Sequence, residues 1–190
     1  MSSHDTRTDA MSGSGPTATA DPACARALGE PDEAPPRALV AVFDSPVAAY
    51  LLHFARDCGF ATMLLEPRGH EAASHATPYA DRLLTAVDAE RLEDTTDVVV
   101  TDHDRAELGE VVRDLLSTPV RWIGVMGSPR HAPPHVPALQ ALGVADDEIA
   151  RVHRPIGLNI GSRSPAEIAL ATIAGLIADR RQRPGGFQFG

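Results

Sequence analysis

Apolar positions along this chain change period several times, and each change marks an element. Ala38-Leu39-Val40-Ala41-Val42-Phe43 is a short unbroken apolar run, the pattern of a strand buried on both faces. Asp44-Ser45-Pro46 opens a helix, and Val47, Tyr50, Leu51, Phe54 and Cys58 follow at helical spacing until Gly59 ends it. Residues 60–66 form a second buried strand stopped by Pro67, so strand, helix and strand make a βαβ unit with a right-handed crossover. Residues 68–81, with His70 and His75, are of mixed polarity and read as surface loop; residues 83–87 read as a minor strand. Residues 97–101 are a clear buried strand, and Leu108, Val111, Val112, Leu115 and Leu116 give a helical stripe up to Pro119. Residues 120–126 are the next strand. Pro133, Pro134 and Pro137 crowd the helix after it, which places its start near His135; Gly143 stops it. Residues 146–151 add a turn, and a last helix runs from Pro165 to about Arg181. This alternation predicts an α/β fold, a Rossmann-like, mainly parallel sheet with helices on both faces.

Composition adds boundaries to that pattern. Residues 1–36 are rich in Ser, Thr, Ala, Gly, Pro and Asp, and cannot bury enough apolar surface to offset their ordering entropy. They read as a disordered leader with a helical tendency over 23–28, ahead of one domain over 37–183 and a flexible tail over 184–190. In that tail Phe187 and Phe189 would pack locally or against a partner. Hydrophobic content of 43% supports a real core, and 4% aromatics means it is built of Val, Ile, Leu and Ala. A net charge of -9 argues against nonspecific binding to nucleic acid or an anionic membrane. No apolar run approaches bilayer length and no basic region precedes an apolar one at the start, so the cytoplasm is the expected compartment. Cys24 and Cys58 make neither a disulfide framework nor a metal cluster.

In such a sheet ligands bind beyond the carboxyl ends of the strands. The loop after the first strand lacks the G-x-G-x-x-G of dinucleotide sites: Phe43 would crowd a pyrophosphate and the Asp44 carboxylate would repel it. Ser45 there caps the helix or meets a nucleotide, and Glu66 stands where an acidic residue binds a ribose. In Thr101-Asp102-His103-Asp104, Asp102 and His103 are candidates for an oriented general base, against helix capping by Asp102 or Asp104 with a solvated His103. His131 and His135 are spaced like two ligands on a helix, but Pro133 and Pro134 intervene, so surface loop is the better reading and no metal site is expected. Gly127-Ser128-Pro129-Arg130 is a small-residue turn followed by a permanent cation, suited to a phosphate. Residues 155–167 hold Gly157, Asn159, Gly161 and Arg163 before a helix that Ser164 caps, Pro165 opens and Glu167 closes as a capping box. That helix start attracts anions, although a tight turn with a well-made cap explains the same residues.

The blocks Arg121-Trp122-Ile123-Gly124-Val125-Met126-Gly127-Ser128, Leu142-Gly143-Val144, Ile149 to Gly161 and Ser164-Pro165-Ala166-Glu167-Ile168-Ala169 resemble, in order and spacing, the C-terminal Rossmann-like domain of the xanthine dehydrogenase accessory proteins (XdhC/CoxI type). A looser resemblance extends from Ala38 to Arg181. It implies a maturation factor for molybdenum hydroxylases of the xanthine dehydrogenase type. Such a factor binds molybdopterin-type molybdenum cofactor, protects it during sulfuration and helps insert it into the apoenzyme. Gly127, Ser128, Gly157, Asn159, Gly161 and Glu167 carry over as binding positions; Arg130 and Arg163 are added from their chemistry. A sulfurtransferase, a separate protein carrying the family's N-terminal domain, or a second copy in a homodimer are the further partners this implies. The chain departs from the family pattern in its first loop, in Thr101-Asp102-His103-Asp104, and at Gly175, where the last helix often has Glu. An NAD(P)-dependent oxidoreductase and a ligand-free partner-binding domain are the alternative readings.

Overall fold

The computed structural model describes residues 36–69 and 74–186. Residues 1–35 of the expected leader, Cys24 among them, and His70, Phe187 and Phe189 lie outside them. Six strands form one sheet in the order β3-β2-β1-β4-β5-β6, and every pairing is parallel. The strands are β1 (Ala38–Val42), β2 (Ala61–Leu65), β3 (Arg82–Leu84), β4 (Thr96–Val100), β5 (Trp122–Val125) and β6 (Val152–His153). The helices are α1 (Pro46–Asp57), α2 (Leu108–Leu116), α3 (His135–Ala141), α4 (Asp146–Ile149) and α5 (Pro165–Arg180). The strand order reverses between β1 and β4, which is where a crevice opens in sheets of this kind.

The apolar runs are continuous because both faces of the sheet are covered. In β1, Leu39 and Ala41 point to one helical layer while Val40 and Val42 point to the other, and all four are fully buried. Leu51, Leu52 and Ala55 of α1 and Ile173 and Leu176 of α5 cover the first face. Val112 and Leu115 of α2 and Leu139 of α3 cover the second. Among the described residues no helix is long and apolar enough to cross a membrane.

Local signals hold where they are strong. Ser45 accepts the Ala48 N–H at 3.0 Å and caps α1. Ser164 and Glu167 form a reciprocal capping box on α5, with Pro165 at its first turn. Three expectations need correction. The sequence offered no strand near residue 152, yet Val152-His153 pairs with Ile123-Gly124; two residues are too few to show a period. The minor strand ends at Leu84. The stretch after Ser74 is not simply surface loop: Ala76 is fully buried and Thr77–Tyr79 forms a 3-10 turn. Two carboxylates fold that stretch down. Asp81 accepts from Thr62 N–H and hydroxyl at 2.8 and 2.9 Å, and Asp44 accepts from the N–H groups of His75 and Ala76 at 3.1 and 2.8 Å.

One buried charge holds the opposite edge of the sheet. Asp97 in β4 has no exposed surface and receives Arg121 on one oxygen at 2.7 Å and Arg180 on the other at 2.6 Å. It thereby ties β4 to β5 and to the end of α5.

Candidate functional site

A cleft of about 790 Å³ lies over the carboxyl ends of β4, β5 and β6. Three segments make most of it, and Val47 of α1 with Ile168, Ala171 and Thr172 of α5 complete the lining. His103 and Thr101 come from the end of β4, residues 126–130 from the end of β5, and residues 155–163 from the loop before α5. The fold brings together Gly127, Ser128, Arg130, Gly157, Asn159, Gly161 and Arg163 from segments remote in sequence, with His103 beside them. Four of the expected positions do not line it: Glu167, Asp102, Ser45 and Glu66.

The cleft is polarised in an informative way. Its lining includes Arg130, Arg163 and His103, and contains no Asp, Glu or Cys, in a chain whose net charge is -9. Neither arginine has a salt-bridge partner among the described residues. Ser128 and Asn159 add neutral hydrogen-bonding groups, while Val47, Met126, Leu158, Ile160 and Ile168 give an apolar wall. Such a lining suits a ligand with a ring system and an anionic end. It lacks the carboxylates and thiols that commonly hold a bare metal ion. Among the described residues no cluster of His, Cys, Asp and Glu of metal-binding size occurs anywhere.

The glycines of the last loop divide their labour. Gly161, at φ 69°, has open space where a Cβ would stand. Gly157, at φ 83°, instead packs on α5: a Cβ there would lie 3.1 Å from the main chain of Ala171 and Thr172. The next N–H, of Leu158, donates to the Ala171 carbonyl at 3.0 Å. The cleft floor is thus riveted to a helix.

The start of α5 is satisfied from within. Glu167 Oε2 accepts the N–H groups of Arg163 at 2.8 Å and Ser164 at 3.1 Å, and Ser164 Oγ accepts the Glu167 N–H at 3.3 Å. The Arg163 and Ser164 N–H bonds hold the Glu167 carboxyl below the usual carboxylate value. Its carboxylate therefore takes the Arg163 and Ser164 N–H groups and sets a negative charge at the helix start. The hydroxyl and cationic groups left facing the cleft are those of Ser128, Arg130 and Arg163.

The general-base pairing is not assembled. Asp102 accepts the Asp104 N–H at 3.0 Å instead of meeting His103, and the His103–Asp104 separation is 3.7 Å. Neither Asp102 nor Asp104 caps α2, whose first flanking residue is Glu107.

Two structural features near the cleft differ from the sequence reading or go beyond it. Arg154, just after β6, lies beneath the Gly127 turn and donates to the Ser128 and His131 carbonyls at 3.4 and 3.5 Å. A Cβ on Gly127 would fall among the guanidinium atoms of Arg154, so the glycine is the condition for this brace. His135, expected in a surface loop, is only 3% exposed at the start of α3. Burial, with the Arg154 charge adding to it, pushes its imidazole below the ordinary value.

Comparisons with known proteins agree with this fold. The family described as XdhC Rossmann domain matches residues 39–176. The chain is 34% identical over 89 residues to the uncharacterized protein YqeB of Escherichia coli (strain K12), a match that covers 47% of this chain and 16% of that protein. It is 27% identical over 138 residues to a probable xanthine dehydrogenase subunit of Bacillus subtilis (strain 168), covering 70% and 39% respectively. The crystal structure of a xanthine dehydrogenase from Bacillus halodurans superposes with a TM-score of 0.61 at 26% identity, over 78% of this chain and 46% of that one. The chain spans less than half the length of each of these relatives.

Proposed function

The chain belongs to the XdhC Rossmann-domain family, and from that premise we propose that it is an accessory factor that binds molybdenum cofactor for a molybdenum hydroxylase of the xanthine dehydrogenase type. The observation that carries the reading is the acid-free cleft with Arg130, Arg163 and His103 in an acidic protein. When bound, the cofactor supplies the molybdenum centre that the client enzyme requires. The chain's own residues do the holding. Arg130 and Arg163 would take the cofactor phosphate, Ser128 and Asn159 would meet its polar edge, and Ile160 and Ile168 would exclude water from its ring system. Handing the cofactor to the apoenzyme would then be release from the cleft, with no chemical step at the site.

The alternative of an NAD(P)-dependent oxidoreductase is disfavoured by the first crevice. Glu66, the residue offered for a ribose, accepts hydrogen bonds from the N–H groups of Asp44 and Arg68 and from both terminal nitrogens of Arg105.

The test is recovery of cofactor with the purified chain. The protein, produced in a host that makes molybdenum cofactor and isolated without oxygen, is assayed for molybdenum and for the oxidised pterin. Near-stoichiometric pterin in wild type and its loss in a folded Arg130→Ala/Arg163→Ala variant support the reading. Equal pterin in both would remove the cleft from it.

A further inference from the structure

The crevice at the β1–β4 reversal is where sheets of this order take a dinucleotide, with one nucleotide on the β1–β2 side. Here that side is filled by the chain itself, in three layers. At the bottom, Thr101 Oγ1 from the end of β4 lies 2.9 Å from the Phe43 carbonyl and 3.0 Å from Ser45 Oγ, which laces the β1–α1 turn to β4. In the middle, Phe43 sits at φ 70° and is fully buried, with the Arg105 guanidinium 4.6 Å over its ring. On top, Arg105 grips Glu66 with two hydrogen bonds of 2.6 and 3.1 Å, while the Asp44 N–H is spent on Glu66 at 2.9 Å and the Asp44 carboxylate on His75 and Ala76. Arg105 and Glu66 side chains are 13% and 6% exposed, so the pair is part of the interior.

The open cleft and the filled crevice share a boundary at Thr101 and Val47. From this juxtaposition we infer that the site is a half-site that selects the cofactor form ending in a phosphate monoester and rejects the form extended by a nucleotide. The inference rests on the cofactor reading above. A phosphate held by Arg130 and Arg163 stays within the cleft. A nucleotide attached to it and directed along the usual path would meet the Phe43 ring and the Glu66–Arg105 pair. The residues that set specificity are therefore Phe43, Glu66 and Arg105, none of which touches the ligand that does bind.

The experiment is an anaerobic equilibrium titration of the full chain with molybdenum cofactor in its phosphate form and in its nucleotide-extended form, read by quenching of Trp122 and by retention on a desalting column. The phosphate form is expected to bind at least tenfold more tightly. Arg105→Ala, which opens the plug, is expected to narrow that gap by improving only the nucleotide-extended form; should this variant not fold, the wild-type comparison decides alone. Equal or tighter binding of the nucleotide-extended form by wild type overturns the inference and leaves the cofactor reading standing. Binding of neither form overturns both.

Discussion

Gly157 and Gly175 meet backbone to backbone: a Cβ on Gly175 would stand 3.1 Å from the Gly157 Cα. Gly175 is thus what lets α5 approach the loop under the cleft. Gly175→Ala must push loop and helix apart, and overpacking of this kind costs about 1–3 kcal/mol. The urea midpoint is expected to fall with an unchanged slope. An unchanged midpoint would mean that the loop yields freely and the cleft floor is not rigid.

Gly127→Ala acts through a different contact. The added methyl displaces the Arg154 guanidinium and frees the Ser128 and His131 carbonyls. The turn carrying Ser128 and Arg130 then loses its brace. Cofactor affinity should drop several-fold while the melting temperature changes little, which paired titration and calorimetry would separate. An affinity equal to wild type would show that Arg154 does not position the turn.

The buried Asp97 predicts a large stability effect far from the cleft. Asp97→Ala removes the carboxylate that Arg121 and Arg180 share, leaving Arg121 with Asp179 and Arg180 with the Thr95 carbonyl. Breaking a buried pair costs about 3–5 kcal/mol, and the partial exposure of both arginines puts the loss toward the lower end. Denaturant unfolding measures it. A loss well under about 1 kcal/mol, the scale of surface pairs, would make the network a surface feature.

Two groups give stability a pH dependence of the same sign at different pH. His135 is held below its ordinary 6.5, so the unfolded chain takes up a proton first as pH falls. Its contribution is complete above pH 6.5 and is lost as pH drops through the folded value. Glu107, held at about 2 first by its hydrogen bonds to Arg68, contributes above its ordinary 4.5 and loses that contribution between there and about 2. A His135→Phe variant should flatten the stability profile just below pH 6.5 and leave the acid limb intact. A profile parallel to wild type through that interval would contradict the burial of His135.

Much of this fold is written locally. The unbroken apolar runs of β1, β2 and β4 name their own burial, and Ser164-Pro165-Ala166-Glu167 specifies a helix start within four residues. The site was legible only in part, because its residues are local but their relations are not. Gly127, Ser128 and Arg130 look like a phosphate turn in one dimension. That Arg154 supports the turn depends on β6, whose two residues pair only because β5 is there. Glu66 looked like a ribose ligand because a strand end is a good place for one. Its commitment to Arg105 follows from β2 and β4 flanking β1, which no pattern around either residue reveals. The helix start misleads in the opposite way: the capping box that makes it conspicuous also commits the N–H groups of Arg163, Ser164 and Glu167.

The proposed function requires the cleft between the Ser128 turn and the Arg163 loop to hold molybdenum cofactor through Arg130 and Arg163. The most direct measurement is the anaerobic dissociation constant of the cofactor for wild type and for a folded Arg130→Glu/Arg163→Glu variant, with NAD(H) titrated in parallel. Saturable binding by wild type, weakened at least a hundredfold in the variant and absent for NAD(H), is the predicted result. Unchanged cofactor affinity in the variant, or binding of NAD(H) alone, would contradict the account.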